Sequence, residues 1–385
     1  MTDTDGIVVM MVAVLLMRII IVSILKTISL AYRQKQINHL ITKGKLKYSI
    51  ALVALSTAFS GPLALAQENL LNLYSSRHYQ TDESLYSNFS KGTGIKLNRI
   101  EAGENPLIER LRNEGANSPA DVLVTVDAGR LWRVEQMGLF QPVNSKVLNE
   151  RLPAHMRNPN GQWFGFSARA RVIVYNKSAI KPAEVQNYED LASPKMKGKV
   201  CTRSSSHIYN LSLMSALIEH LGEAKAEAWA KGVAGNLARP PKGGDTDQIK
   251  AVASGECLVG LANSYYYVRL MRSTKPEDRK VIDQVGLIWP NQKSFGTHMN
   301  ISGAGVIKTA RHREAAVKFL EYLAGSEAQG YFANGNNEWP VAVGAKPDNA
   351  ALNSLGEFRM DTLNISALGK NQALAQKIFD RVGYK

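Results

Sequence analysis

The chain has 385 residues, 45% hydrophobic and 21% charged, which is room for roughly two ordinary domains and excludes a disordered segment. Its formal net charge is +14, of which residues 1–66, with seven Lys/Arg and two Asp/Glu, supply +5 and the remainder +9. The Lys and Arg are scattered and no basic-aromatic module accompanies them, which argues against nucleic acid and leaves an anionic surface or ligand.

In chain order, Ile7–Leu30 is apolar enough to span a bilayer except at Arg18 and Lys26. It reads either as a membrane tether or as translated sequence upstream of the true start. A secretory signal follows: Lys43, Lys45 and Lys47, an apolar stretch from Ile50 to Phe59, and an A-x-A pattern at Ala64 and Ala66. This predicts a leader over 1–66, a mature start at Gln67 and export to the periplasm. No cysteine follows the apolar stretch, so no lipid anchor is expected. "LLNLYSS" then reads as a strand, with a helix around Asp82–Lys91; "IKLNRIEA" is a strand and "NPLIERLRNEG" a helix stopped by Gly115. "ADVLVTV" is a buried strand, after which Asp127 caps a helix ended by Gly138. The βαβαβα register predicts a mostly parallel α/β sheet. "WFGFSARARVIVYN" looks like two extended segments crossing between domains. "KGKVCTRSSS" is a strand opening a helix near Tyr209, and "DTDQIKAVASGECLVGLANSYYY" is helix, strand and a turn into another helix. "VGLIWP" and "NISGAGVI" are further strands, and "RHREAAVKFLEYLAG" is a helix with Ala316, Phe319, Leu320 and Leu323 on one face. The natural architecture is two α/β domains with more than one crossing.

The two cysteines, Cys201 and Cys257, form no C-x-x-C, which excludes a zinc or thioredoxin motif. They are buried thiols or, in an exported chain, a disulfide. There is no G-x-S-x-G, Walker loop, H-E-x-x-H or G-x-G-x-x-G after a strand. Three polar segments stand out instead: "SSRHYQTDE" (Ser75–Glu83), "TRSSSHIYN" (Thr202–Asn210) and "NSYYY" (Asn263–Tyr267). Each follows a strand, at the edge where open α/β sheets bind ligands. On spacing alone the tyrosines are either ligands or the apolar walls of a pocket.

The mature chain from about Asn69 to Lys385 resembles the periplasmic ferric-iron-binding proteins of bacterial ABC importers, and the cyanobacterial type in particular. The resemblance lies in "NLYSSRHYQTDESLYSNF", "ADVLVTVDAGRLWRVEQMGLFQPV", "RSSSHIYN", "NSYYYVRL" and "EAAVKFLEYLAGSEAQGYFANGNNEWPV". It implies a type II, Venus-flytrap α/β fold with a ligand cleft between two lobes, one built from 67–167 and 298–385 and the other from 168–297. It further implies a monomer that delivers iron to a membrane permease. The implied metal ligands are Tyr79, Tyr209, Tyr265 and Tyr266, with His78 a ligand in some members and Tyr267 left to packing. Tyr265 and Tyr266 can share an ion only if the chain leaves strand geometry there. His207 departs from the pattern, since relatives are expected to carry a small amide there. Fe3+ suits this set: it is small, hard and highly charged, and binding it removes the phenol protons. Fe2+ is the alternative oxidation state. Four phenolates leave a net negative charge, for which Arg203 and then Arg77 are the candidate counter-ions. Two other readings stay open. One is a binding protein for an organic or phosphorylated anion gripped by Arg77, Arg203 and the serines. The other is a secreted enzyme using Ser204–Ser206 with His207.

Overall fold

The computed structural model describes residues 69–77 and 81–385. The leader, with both its apolar segments, lies outside them, as do His78 and Tyr79. Among the described residues no helix is long and apolar enough to cross a membrane.

The first third of the mature chain follows its apolar periodicity. β1 (Leu70–Ser75), α1 (Asp82–Thr93), β2 (Lys96–Glu101), α2 (Glu104–Glu114), β3 (Val122–Val126) and α3 (Ala128–Gln136) alternate, and β1 pairs parallel with both β2 and β3. Asp127 caps α3 as expected, accepting from Gly129 N–H at 2.8 Å. After α4 (Lys146–Arg151) comes β4 (Phe164–Asn176). The chain then runs through β5 (Val200–Cys201), α5 (Ile208–Leu221), α6 (Glu223–Gly235), α7 (Asp245–Ser254), β6 (Val259–Asn263), α8 (Ser264–Met271), α9 (Pro276–Gln284) and β7 (Val285–Ile288). It returns through β8 (Met299–Val306), α10 (Arg313–Leu323), α11 (Ser326–Asn336), β9 (Trp339–Pro340), α12 (Ala350–Asn353), α13 (Ser366–Lys370) and α14 (Gln372–Arg381).

Two expectations change. The segment expected as two extended pieces is one 13-residue strand, β4, with a register irregularity between Gly165 and Ser167. Its first half pairs with β8 and its second half with β6 and β7, so a single strand joins two sheet halves. The sheet is also mixed rather than mostly parallel. β1·β2, β1·β3 and β5·β6 are parallel, whereas β8 against β3 and every pairing of β4 are antiparallel. The cause is topological: β4 runs with β1 and β3 into a half whose strands β6 and β7 run against it, and β8 returns running against β3.

Two buried cores form, the larger of them reaching into both halves. Leu71, Leu73, Phe89, Phe319 and Leu320 lie in the core around β1 and β3, with the apolar stripe of α10 facing inward as its spacing predicted. Ile173, Leu213, Leu217, Trp229 and Leu261 form a second core, and Ala375, Ile378 and Phe379 of α14 pack into it. The last helix thus covers the second half of the sheet. Each such large side chain contributes about 1.5–3 kcal/mol when fully buried. Cys201 and Cys257 form a disulfide with a Cα–Cα distance of 5.9 Å, tying β5 to the turn before β6.

Candidate metal centre

β5 and β6 are parallel neighbours, so their C-terminal ends lie on one edge of the sheet. From each end the chain enters a helix whose second residue is a tyrosine: Tyr209 in α5 and Tyr265 in α8. Their hydroxyl oxygens meet at 3.0 Å. β6 stops at Asn263, so the following tyrosines lie on a helix and not a strand. The Tyr265 and Tyr266 ring centroids are accordingly only 4.2 Å apart. Helical rotation carries Tyr267 about 200° round from Tyr265. Its hydroxyl donates to Val285 O at 2.9 Å, and burial, with Tyr175 nearby, pushes its pKa up to about 12. Tyr267 therefore packs against β7, as expected.

His207, the departure from the expected amide, does an amide's work. It is the N-cap of α5, and its Nδ1 accepts from Tyr209 N–H at 3.2 Å. Burial first, then Arg203, Arg171 and Arg130, lowers its pKa to about 3, so the imidazole is neutral and keeps the lone pair the cap needs. The Ser204 and Ser206 hydroxyls bond to each other at 2.9 Å, and no serine–histidine hydrogen bond of the kind a nucleophile needs is made among the described residues. The enzyme reading loses its catalytic pair.

Guanidinium groups surround Tyr209. Those of Arg203, Arg169 and Arg171 lie 5.2, 5.8 and 5.9 Å from its ring centroid. Arg171 is held by both Nη atoms: it pairs with Asp245 at 2.8 Å and donates to Asn263 Oδ1 and Asn210 Oδ1, while its buried Nε makes no hydrogen bond among the described residues. Arg203 reaches the other Asp245 oxygen at 3.4 Å. Asp245, fully buried, also accepts from Asn263 N–H at 2.7 Å. Arg169 donates to Ser302 Oγ at 3.2 Å, with Glu338 3.9 Å away. Burial works against its charge, but Tyr209, Glu338, Asp127 and Tyr265 around it raise its pKa above the usual arginine value. Arg169 and Arg171 were missed from sequence. Their signal was the alternation in "SARARVIV", which puts two arginines on one face of an otherwise apolar strand.

Arg77 is not a surface arginine. It is buried, 3.1 Å from both Asp82 and Glu338 and 5.1 Å from the Phe332 ring centroid. Two carboxylates already take up its charge, which makes it a weaker counter-ion than Arg203 and a poor grip for a bound anion. Among the described residues no three His, Cys, Asp or Glu side chains are grouped to hold a metal. The donors that do converge are phenols, hard oxygen ligands under a positive field, and this is a fit for a hard, highly charged cation.

A family model described as bacterial extracellular solute-binding protein matches residues 117–359. Iron uptake protein A1 of Synechocystis is 51% identical over 319 residues, 83% of this chain and 88% of that protein. Trichodesmium IdiA/FutA, solved in complex with iron and citrate ligands, matches with a TM-score of 0.80 at 56% identity, covering 82% of this chain and 100% of that one. The ferric binding protein from Campylobacter jejuni gives a TM-score of 0.77 at 40% identity over 82% of this chain. With its two α/β halves joined through one long strand, and a family model matched over more than half its length, the chain belongs to the bacterial extracellular solute-binding proteins.

Proposed function

We propose that this protein captures Fe3+ outside the cytoplasmic membrane and delivers it to the permease of an ABC importer. The observation that carries the reading is the meeting of the Tyr209 and Tyr265 hydroxyls at 3.0 Å, from two separate strand ends, beneath three guanidinium groups. The iron-uptake and ferric-binding relatives support the cargo. Tyr209, Tyr265 and Tyr266 supply phenolate oxygens from one lobe; Tyr79, with His78 beside it in the chain, supplies the contribution from the other. The lobes are 67–167 with 298–371, and 168–297 with 372–385, the last segment moved to the second lobe because α14 packs there. Iron bridging both lobes favours the closed state by its differential affinity. Four phenolates around Fe3+ carry one net negative charge, which Arg203 and Arg169 offset; with Fe2+ the charge is two.

The protein is a binding protein, not an enzyme, and its family is extracytoplasmic. Cleavage before Gln67 and a monomeric state complete the proposal; N-terminal sequencing of exported material that found Ile7–Leu30 intact would replace cleavage with a membrane tether. The central test is titration of the purified protein with ferric citrate. A red-orange iron–phenolate absorption band is expected, lost on Tyr209→Phe and Tyr265→Phe. A protein that stays colourless with iron present would favour an organic or phosphorylated anion as cargo.

A further inference from the structure

α8 carries Tyr265 and Tyr266 at its start and Arg272 as its C-cap. The Arg272 guanidinium reaches across to the end of α11, where its Nη1 donates to Asn334 O at 2.6 Å and to Asn337 Oδ1 at 2.6 Å. Asn334 lies in the last turn of α11 and Asn337 is its left-handed C-cap, with φ 58°. The open carbonyls and negative dipole end of a helix favour a cation there. The residues around Asn337 are committed to the segment that precedes and follows Tyr79 in the chain. Asn336 donates from Nδ2 to Asp82 at 3.0 Å and accepts from Thr81 Oγ1 at 2.6 Å. Glu338 holds Arg77 at 3.1 Å and accepts from Ser167 Oγ at 2.7 Å. Three consecutive residues thus divide their work: Asn336 and Glu338 anchor both flanks of the first loop, and Asn337 receives the far end of the helix bearing Tyr265 and Tyr266.

We infer that Arg272 is a closure residue: it pins α8 to the cap of α11 across the cleft and so sets how fast bound iron leaves, without touching the iron. The inference rests on the iron-binding reading above and on the assignment of α8 and α11 to different lobes. The bonds are charge-assisted and exist only when the two helices are together, so they stabilise the closed form alone. A contact of that kind slows release while leaving the ligand set unchanged.

The test follows release of iron from the loaded, mature chain to excess EDTA, read as decay of the visible band. Arg272→Ala and Asn337→Gly, which keeps the left-handed cap but removes the acceptor, should each speed release about tenfold, the low end for bonds to a charged group. The double variant should release no faster than Arg272→Ala alone, because that change already removes both bonds to α11. Asn337→Asp places a carboxylate opposite Arg272 and should slow release. The position of the band should not move in any of them. Small-angle scattering of loaded Arg272→Ala should show a more expanded particle than loaded wild type. Unchanged release, additive effects in the double variant, or a shifted band would each overturn the assignment, the last by implicating the ligands themselves. If Arg272→Ala does not fold, the slowing in Asn337→Asp decides the matter. A wild-type protein that forms no band at all defeats the iron reading, a result distinct from a normal band with unaltered release.

Discussion

The limb from Cys201 to Tyr209 and the limb from Cys257 to Tyr265 are built to one plan: a disulfide at the base, the end of a strand, and a tyrosine as the second residue of a helix. They are held in place differently. The first passes through irregular backbone, Thr202 to His207, that its own local bonds do not make rigid. Side chains do it instead: the His207 cap, Asn210 donating to Arg203 O and Ser204 O, and Tyr384 against Thr202 Oγ1 at 2.7 Å. Around its tyrosine stand Arg169, Arg171 and Arg203. The second limb runs from strand straight into helix, so backbone hydrogen bonding and burial position it; Arg269 lies 4.8 Å from its Tyr266 ring centroid, and Arg169 lies near its Tyr265. One limb depends on polar side chains and charge, the other on secondary structure. Polar perturbations should therefore reach Tyr209 before Tyr265.

Breaking both limbs together should have the largest effect. Arg171 bonds to Asn210 on one limb, Asn263 on the other and Asp245 between them. Arg171→Met leaves a buried carboxylate short of its closest charged partner and should cost about 3–5 kcal/mol in denaturant unfolding. A loss under 1 kcal/mol would show that Arg203 alone can satisfy Asp245. Replacing both cysteines by alanine frees the bases of the limbs and should cost about 4 kcal/mol in the chain-entropy model, measured the same way under oxidising conditions. An equal midpoint for variant and wild type would refute it.

Single-limb changes come next. Tyr209→Phe and Tyr265→Phe each remove one oxygen and should weaken iron binding by about a hundredfold or more, beyond the usual cost of disturbing a ligand's supporting shell. Arg203→Ala, whose guanidinium lies beside Tyr209, should lower the reduction midpoint of the bound iron, because a fixed cation eases reduction; spectroelectrochemistry checks this, and an unchanged midpoint would move the compensating charge to Arg169. Tyr267→Phe sharpens the contrast within one helix. It should cost about 1 kcal/mol through its lost bond to Val285, with iron affinity unaltered; a bleached band would mean that Tyr267 had been misread.

The smallest effect concerns acid. His207 and the buried His298 are both held down to about 3, by burial first and nearby arginines second. Unfolded, they titrate near 6.5. Between about 6.5 and 3 the unfolded chain binds protons that the folded one refuses, so stability falls as the pH drops through that window and is unaffected above it. His207→Asn keeps a good N-cap and removes one of these protons. Its melting temperature should decline less steeply from pH 7 to 4, and an identical slope would mean that folded His207 is not held neutral.

Much of this was legible before any coordinates. The alternation of β1 to α3, the apolar stripe of α10 and the Asp127 cap follow from local spacing, because strand and helix periods are properties of a few neighbouring residues. The division of Tyr265 and Tyr266 from Tyr267 came from the family resemblance, since successive helical residues all lie about 100° apart and rotation alone favours neither pair. The mixed direction of the sheet could not be read. β4 reads as an extended strand whichever neighbours it has, and its partners in β8 lie more than a hundred residues downstream.

What the sequence alone determined is the kind of chemistry: oxygen-rich loops at strand ends, no catalytic motif, and two cysteines outside any C-x-x-C. Which groups share a point in space was decided only by the tertiary structure. Arg203 ranked ahead of Arg77 from position alone, but packing gave Arg77 two carboxylates and set Arg203 beside Tyr209. Arg169 and Arg171 showed in the sequence only as two arginines on one face of a strand, their partners undefined until β4 set them beside Tyr209, and Arg272 had no meaning until α8 met the end of α11. Electrostatic partnership depends on distance through space, and in a chain that crosses twice between two halves that distance is set by packing and not by position in the sequence.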